Sequence, residues 1–373
     1  MTGLPPPTLS APWWLPGGHL QTVWRKLAAV PSLIRQRQRI ELDDGDFIDV
    51  DYLHAQGYLH AQGYLHAQGY LHAQGCLPAQ GYLPAQGYLP AHGYLPAHGV
   101  LQGGGGEKPL VFLLHGLAGC SASPYIMAMQ HTLHAAGYDS VAMNLRGCSG
   151  EHNRLAGAYH SGCSDDVEQV ISALMSRQQR QLVVIGYSLG ANVLVKWLTE
   201  TRFKSELSAA VSVSNPFSLD LCCAQMNTGM AYWYGRYFLR RLRTDLQRKQ
   251  EAFRQQGRDD EVRRIQQLGE LNGLQTLWDF DDAVTAPLHG FAGATDYYQR
   301  CSSRQFIVDA PVRTLVVHSR NDPIIPAHSL PSPDQAPAHV TWEILPFGGH
   351  VGFAMKGQND WLERRILRFI ELT

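Results

Sequence analysis

The stretch QLVVIGYSLGANVLVKWLTE (181–200) decides the fold. Its opening, LVVIGY, is a continuous apolar, β-branched run, the pattern of a strand buried on both faces. Its close, ANVLVKWLTE (191–200), reads as a helix. Between them GYSLG (186–190) matches G-x-S-x-G. The demand behind that pattern is steric. A serine held in a strained strand-to-helix turn needs small residues two before and two after, so that neighbouring backbone can approach. The pentapeptide alone is weak evidence, because small-residue turns are common. Its place between a strand and a helix gives it weight.

Working outward, the alternation continues on both sides. Upstream, LVFLLHG (110–116) reads as a buried strand, YIMAMQHTLHAAGY (125–138) as a helix ending at Gly137, and DSVAMNLRG (139–147) as the next strand. DDVEQVISALMSRQ (165–178) is a helix with acidic residues in its first turn, where the helix dipole favours them. Downstream, AAVSVSNP (209–216), RTLVVHSRND (313–322) and VTWEILPFGGH (340–350) read as strands, and WLERRILRFIEL (361–372) as an amphipathic helix. Such alternation predicts a mostly parallel central sheet flanked by helices. Residues 217–300 interrupt it with helical, aromatic sequence, charged over 240–267, and are expected to form a helical cap over one end of the sheet. Near the N-terminus RIELDDGDFIDVDY reads as a hairpin, Gln38–Leu42 and Phe47–Tyr52 around an Asp44-Gly45 turn.

A serine hydroxyl is a poor nucleophile without a base to take its proton. In a strand–turn–helix architecture of this kind the base and its carboxylate partner follow the serine in the order Ser, Asp, His. Asp322 stands just past one strand in VVHSRNDPIIP, and His350 in a Gly-rich loop past the next, in PFGGHVGF. Both loops open at the C-terminal edge of the sheet, where open α/β folds bind ligands. The plainer reading of Asp322 is an Asx turn at the Asp-Pro step, and of His350 a loop histidine bonded to backbone. Their joint occurrence in the right order favours Ser188, Asp322 and His350 as one catalytic set. A developing oxyanion needs two backbone N–H donors, expected from Leu189 and from Leu117 in the loop HGLAGCS (115–121). His115 is expected to be structural. Asp281 and Asp282 are rivals to Asp322, but they do not follow a strand.

Several motifs together carry a resemblance: HLQTVW (19–24), HGLAGCSASPY (115–125), NLRGCSGEHNR (144–154), YHSGCSDD (159–166), GYSLGAN (186–192), FDDAVTAPLHGF (280–291), DYYQRCSS (296–303) and GGHVGF (348–353). In these the chain resembles the YheT-type esterases of the α/β-hydrolase superfamily, over nearly its whole length except about residues 52–106. The resemblance implies the α/β-hydrolase fold and a carboxylic-ester hydrolase with Ser188 as nucleophile, Asp322 as acid and His350 as base. A small acyl ester and water are the expected partners, with no cofactor and no metal. Acyl transfer, or an acylglycerol substrate on the same acyl-enzyme, is the alternative within the enzyme class. A binding module with a vestigial hydrolase core is the alternative outside it. Of the remaining motif residues, Arg146 and Glu151 are expected to pair, Asn153 to cap a turn and Cys148 to pack as a thiol; Trp13 and Trp14 are expected to pack with the N-terminal arm, with contact to a membrane interface as the alternative.

Residues 52–99 are eight near-identical hexads beginning YLHAQG, and a Gly run follows at 103–106. Proline at 78, 84, 90 and 96 with Gly in every hexad excludes a continuous helix. An even period would suit a β-solenoid, but the array supplies fewer than the roughly three coils that stacking needs. A solvated, disordered insertion is expected, since closure entropy grows only logarithmically with loop length. The chain thus divides into an arm and hairpin (1–51), an insertion (52–106) and a hydrolase core (107–373) carrying the cap at about 217–300.

Composition narrows the function classes. The chain has 373 residues, 45% hydrophobic and 17% charged, with a formal net charge of −1. That is globular composition without the basic footprint of a nucleic-acid binder. No run of about 18 apolar residues marks a membrane span, and the N-terminus lacks the pattern of a signal peptide. Seven cysteines without CxxC spacing suggest reduced thiols and a cytoplasmic location. Oligomeric state is open at this level.

Overall fold

The computed structural model describes residues 10–29, 31–55, 108–177 and 180–372. Eight strands form one sheet: β1 (Gln36–Glu41), β2 (Phe47–Leu53), β3 (Leu110–Leu114), β4 (Ser140–Met143), β5 (Leu182–Tyr187), β6 (Leu207–Val213), β7 (Thr314–Ser319) and β8 (Val340–Leu345). Their spatial order is β1-β2-β4-β3-β5-β6-β7-β8. The hairpin β1–β2 and the β2–β4 pair are antiparallel, and every other neighbouring pair is parallel. The expected hairpin is present, and its second strand runs on through Tyr52 and Leu53, the first two residues of the first hexad. Residues 56–107, which include the rest of the array, lie outside the described residues. Leu53 and Val111 both stand level with Ser140, one on each side of β4.

The interior strands β3, β4 and β5 are buried at every position, as a sheet covered on both faces requires. Period-2 alternation then sorts their side chains into two layers. Leu110, Phe112 and Leu114 pack with α3 (Ser164–Met175) and α4 (Leu189–Glu200) through residues such as Val167, Val193 and Trp197. Val111, Leu113, Val183 and Ile185 pack with α2 (Pro124–Ala135) and the C-terminal α11 (Trp361–Glu371) through Ile126, Met129, Ile366 and Phe369. An N-terminal helix, α1 (Gly17–Leu27), adds to the second layer and is clipped to α11 by a buried Arg25–Glu363 ion pair.

Between β6 and β7 the chain leaves the sheet for a run of helices: α5 (Leu219–Gln225), α6 (Tyr232–Gln255), α7 (Asp259–Gln266), the short α8 (Leu277–Phe280) and α9 (Ala286–Leu288) flanking a π-helical turn at Asp281–Thr285, and α10 (Ala294–Cys301). These share a separate apolar cluster, including Leu239, Phe253, Val262, Phe280 and Tyr297, which also takes in Ile324 and Ile325 from the loop after β7. The 24-residue α6 contributes its inward stripe Gly235, Phe238, Leu239, Leu246, Lys249 and Phe253. Of the two N-terminal tryptophans, Trp14 packs edge-on against Trp24 at 5.9 Å. Trp13 departs from the expected packing and stands 87% exposed in the turn before α1.

Candidate active site

β5 delivers Ser188 into a turn that begins α4 at the next residue. Ser188 sits at φ 53°, a left-handed conformation that costs a non-glycine residue free energy and persists only where its surroundings hold it. Two glycines allow that. A Cβ on Gly186 would fall 2.4 Å from the Gly190 carbonyl oxygen, and one on Gly190 would fall 2.5 Å from that of His115. The glycine spacing of the pentapeptide is therefore the spacing of two close backbone approaches. α4 begins directly after Ser188, whose carbonyl accepts from the Ala191 and Asn192 N–H groups at 2.8 and 3.2 Å.

The two other candidate residues converge on that hydroxyl. His350 Nε2 lies 2.9 Å from Ser188 Oγ, and His350 Nδ1 lies 2.9 Å from Asp322 Oδ2. With Asp322 ionised, Nδ1–H donates to the carboxylate, which leaves the Nε2 lone pair facing the serine proton. The other carboxylate oxygen, Oδ1, accepts from the N–H groups of Ile324 and Ile325 at 2.8 and 3.0 Å. One carboxylate oxygen thus closes an Asx turn and the other faces His350. Burial pushes the Asp322 carboxyl up, but the His350 charge, its hydrogen bond and the backbone donors outweigh this and hold it below the usual carboxylate range.

The loop after β3 is held by side chains from elsewhere. Gly116 N–H donates to Tyr125 Oη at 2.9 Å, Ala118 N–H to Tyr159 Oη at 2.8 Å, and Gly119 N–H to the Gly116 carbonyl at 3.0 Å. Among the described residues the Leu117 and Leu189 N–H groups have no such acceptor, and both residues line the cavity beside Ser188. His115 is fully occupied: Nδ1–H donates to the Gly116 carbonyl at 2.8 Å and Nε2 accepts from Leu145 N–H at 3.1 Å. Burial holds its imidazole down at about 4, so it is neutral and fixes the loop, as expected.

Above the serine lies a cavity of about 600 Å³. Ser188, Leu189 and His350 form its floor, and Met226, Phe238, Leu242, Leu277 and Ile324 are among its apolar walls. The π-helical turn places Asp281 on the same cavity. Asp281 is not a partner of His350. It accepts hydrogen bonds of 2.7 Å from Tyr298 and Thr285, and burial raises its carboxyl to about 6 despite them. Asp282 accepts from Ala294 N–H at 2.8 Å and so caps α10.

One expected pair is not formed. Arg146 forks onto Asp166 at 2.6 and 2.8 Å and reaches Asp44 and Asp46 at 2.6 and 3.1 Å, whereas Glu151 pairs with Arg39 at 2.7 Å. Three carboxylates held by the hairpin turn and the first turn of α3 outcompete one exposed glutamate on a mobile-length side chain. Asn153 bridges Asp46 Oδ2 at 2.6 Å and the Gly157 carbonyl at 2.8 Å, and so ties a loop to the hairpin as well as closing its own turn. The sequence also left unassigned the roles of Thr22, Tyr125 and Tyr159. Thr22 Oγ1 accepts the His350 N–H at 2.8 Å. All three stand inside motifs that carried the resemblance, but no spacing reveals which loop each one holds.

A serine at a strained turn after β5, a carboxylate after β7 and a histidine after β8, with helices over the mouth, define the class: the chain belongs to the α/β-hydrolase fold family, which matches residues 109–356. Within it the chain is of the YheT type. It is 34% identical over 264 residues to YheT of Escherichia coli (strain K12), covering 70% of this chain and 76% of that protein. It is also 28% identical over 276 residues to a monoacylglycerol lipase of Saccharomyces cerevisiae (strain ATCC 204508 / S288c), covering 71% of this chain and 59% of that protein. The esterase Pf2001 of Pyrococcus furiosus superposes with a TM-score of 0.50 at 13% identity, covering 92% of this chain and 96% of that one, a likeness of fold. The chain is thus an esterase/lipase-type α/β hydrolase. Among the described residues no helix is long and apolar enough to cross a membrane.

Proposed function

We propose that the chain hydrolyses carboxylic esters through an acyl-enzyme on Ser188. The observation that carries this reading is the relay of two 2.9 Å contacts from Ser188 through His350 to Asp322. His350 Nε2 takes the serine proton as Oγ bonds to the ester carbonyl carbon. The carbonyl oxygen gains the negative charge, and the Leu117 and Leu189 N–H groups receive it. His350 then passes its proton to the departing alcohol, leaving the acyl group on Ser188. Water enters, gives a proton to His350 and attacks the acyl carbon; His350 then returns that proton to Ser188 Oγ as the Oγ–carbon bond breaks and the acid leaves. Asp322 keeps His350 in the productive tautomer and stabilises the imidazolium in both halves. The apolar walls of the cavity favour a short- to medium-chain acyl group, and an alcohol in place of water would make the same intermediate an acyl donor.

The test is turnover of a p-nitrophenyl ester series, from acetate to palmitate, by wild type and Ser188→Ala. A loss of about a thousandfold or more in kcat with an unchanged melting temperature supports the assignment. Wild type and variant equally inert on every ester overturn it.

A further inference from the structure

Helix α1 is inside out. It buries Gln21, Thr22 and Arg25 and exposes Leu20, Val23 and Leu27, the last at 78%. Of the buried residues, Thr22 ties α1 to the site and Arg25 ties it to α11. Arg25 pairs with Glu363, Thr22 holds His350, and a Cβ on Gly18 would land on the Asn321 carbonyl beside Asp322. The exposed trio follows i, i+3, i+7 spacing and so forms one row on the opposite side. Nothing in the site explains that row.

A second exposed row lies beside it. On α6 the outward positions Trp233, Arg236, Tyr237 and Arg240 follow i, i+3, i+4, i+7, with Trp233 71% exposed, while Phe238 and Leu242 turn inward to the cavity. The two helices touch. The His19 ring stacks on Tyr234 at 5.7 Å, and the Lys26 ammonium sits 4.8 Å over the Tyr237 ring. Each helix therefore presents one side to the site and the other to solvent. Met230 and Tyr232 extend the exposed apolar surface at the start of α6, and Trp13 extends the apolar row of α1. Large exposed apolar patches on a folded chain mark contact surfaces.

The charge on these segments identifies the contact. The chain has 32 acidic residues, yet none falls in 13–40 or in 221–244. Lys26, Arg236 and Arg240 are exposed there. A second copy of the chain would bring cations against cations. Aromatic rings alternating with arginines, with no acid among them, match the boundary of an anionic lipid layer, where rings enter the headgroup zone and cations meet phosphate. We infer that the exposed faces of α1 and α6 dock the protein on an anionic lipid–water interface. Docking is a property of the surface and does not depend on turnover at Ser188.

The experiment is sedimentation of the full chain with phosphatidylcholine vesicles, with and without phosphatidylglycerol, over a range of salt. Binding is expected with phosphatidylglycerol, falling as salt rises. The Trp233→Ser/Leu27→Ser and Arg236→Glu/Arg240→Glu pairs are each expected to weaken it about tenfold or more. Melting temperatures matching wild type show that both variants are folded. Failure of wild type to bind anionic vesicles at low salt overturns the inference, as does binding that neither pair of substitutions changes. A concentration-dependent dimer abolished by the same substitutions assigns the surface to a second copy and overturns it equally.

Discussion

The C-terminal edge of the sheet and the helices above it build one site from different materials. At the edge, position is set by backbone. Ser188 is fixed by a left-handed φ and two glycines pressed against neighbouring chain, and Asp322 by two N–H donors. His350 hangs from its own amide on Thr22. In the helical segment from Leu219 to Cys301, position is set by side-chain packing around an apolar cluster of its own. Backbone crossings admit essentially one residue at each point, whereas packed side chains tolerate volume-conserving exchange. The edge is therefore specialised for one chemistry, and the cap is free to vary what that chemistry acts on.

Three substitutions sharpen or break that contrast. The largest effect belongs to the edge. Asp322→Asn keeps the shape and both backbone donors but forces the wrong His350 tautomer, and should lower kcat by about a thousandfold to ten-thousandfold on every ester alike. A loss that varied strongly with acyl length would mean that Asp322 acts on substrate fit. A middle effect belongs to the cap. Leu242→Trp adds volume to a half-buried cavity wall. It should cut kcat/KM for long acyl esters about tenfold relative to acetate while leaving kcat on acetate nearly intact. Equal losses on short and long esters would break the division between edge and cap.

The smallest effect is in stability. Burial raises the Asp281 carboxyl to about 6, above its value in the unfolded chain. The folded state then binds more protons than the unfolded between about pH 4 and pH 6, so this group contributes stability at low pH that is lost as pH rises through about 6. Asparagine has no such dependence. The melting temperature of Asp281→Asn, measured relative to wild type, should rise across that interval by a few degrees and then level off. A difference independent of pH would show that Asp281 does not titrate there.

What the sequence disclosed was local. The strand–turn–helix at 181–200 is legible because its glycine spacing answers clashes within a few residues. Asp322 and His350 are legible because each follows an apolar run, and strand ends converge in a parallel sheet. What stayed hidden depends on which distant elements meet. Thr22 and His350 are 328 positions apart and touch only because α1 lies across the end of the sheet. The Arg146 partners are not legible because Glu151 is near in sequence, while Asp44, Asp46 and Asp166 are near in space. The outward apolar row of α1 was hidden for a related reason. Amphipathic spacing shows that a helix has two faces, and only the fold shows which one turns inward.

The placement of Leu53 and Val111 on either side of Ser140 bears on the hexad array. Two strand spacings, roughly 10 Å, separate the point where the chain leaves the sheet from the point where it returns, a gap that about three extended residues can bridge. A gap that short sets no minimum number of hexads between the two strand anchors. The anchors also lie at the opposite end of the strands from the serine, since Ser188 is five residues beyond Val183, the partner of Val111, or about 16 Å along β5. The two strand positions that bound the array thus stand away from the residues around Ser188.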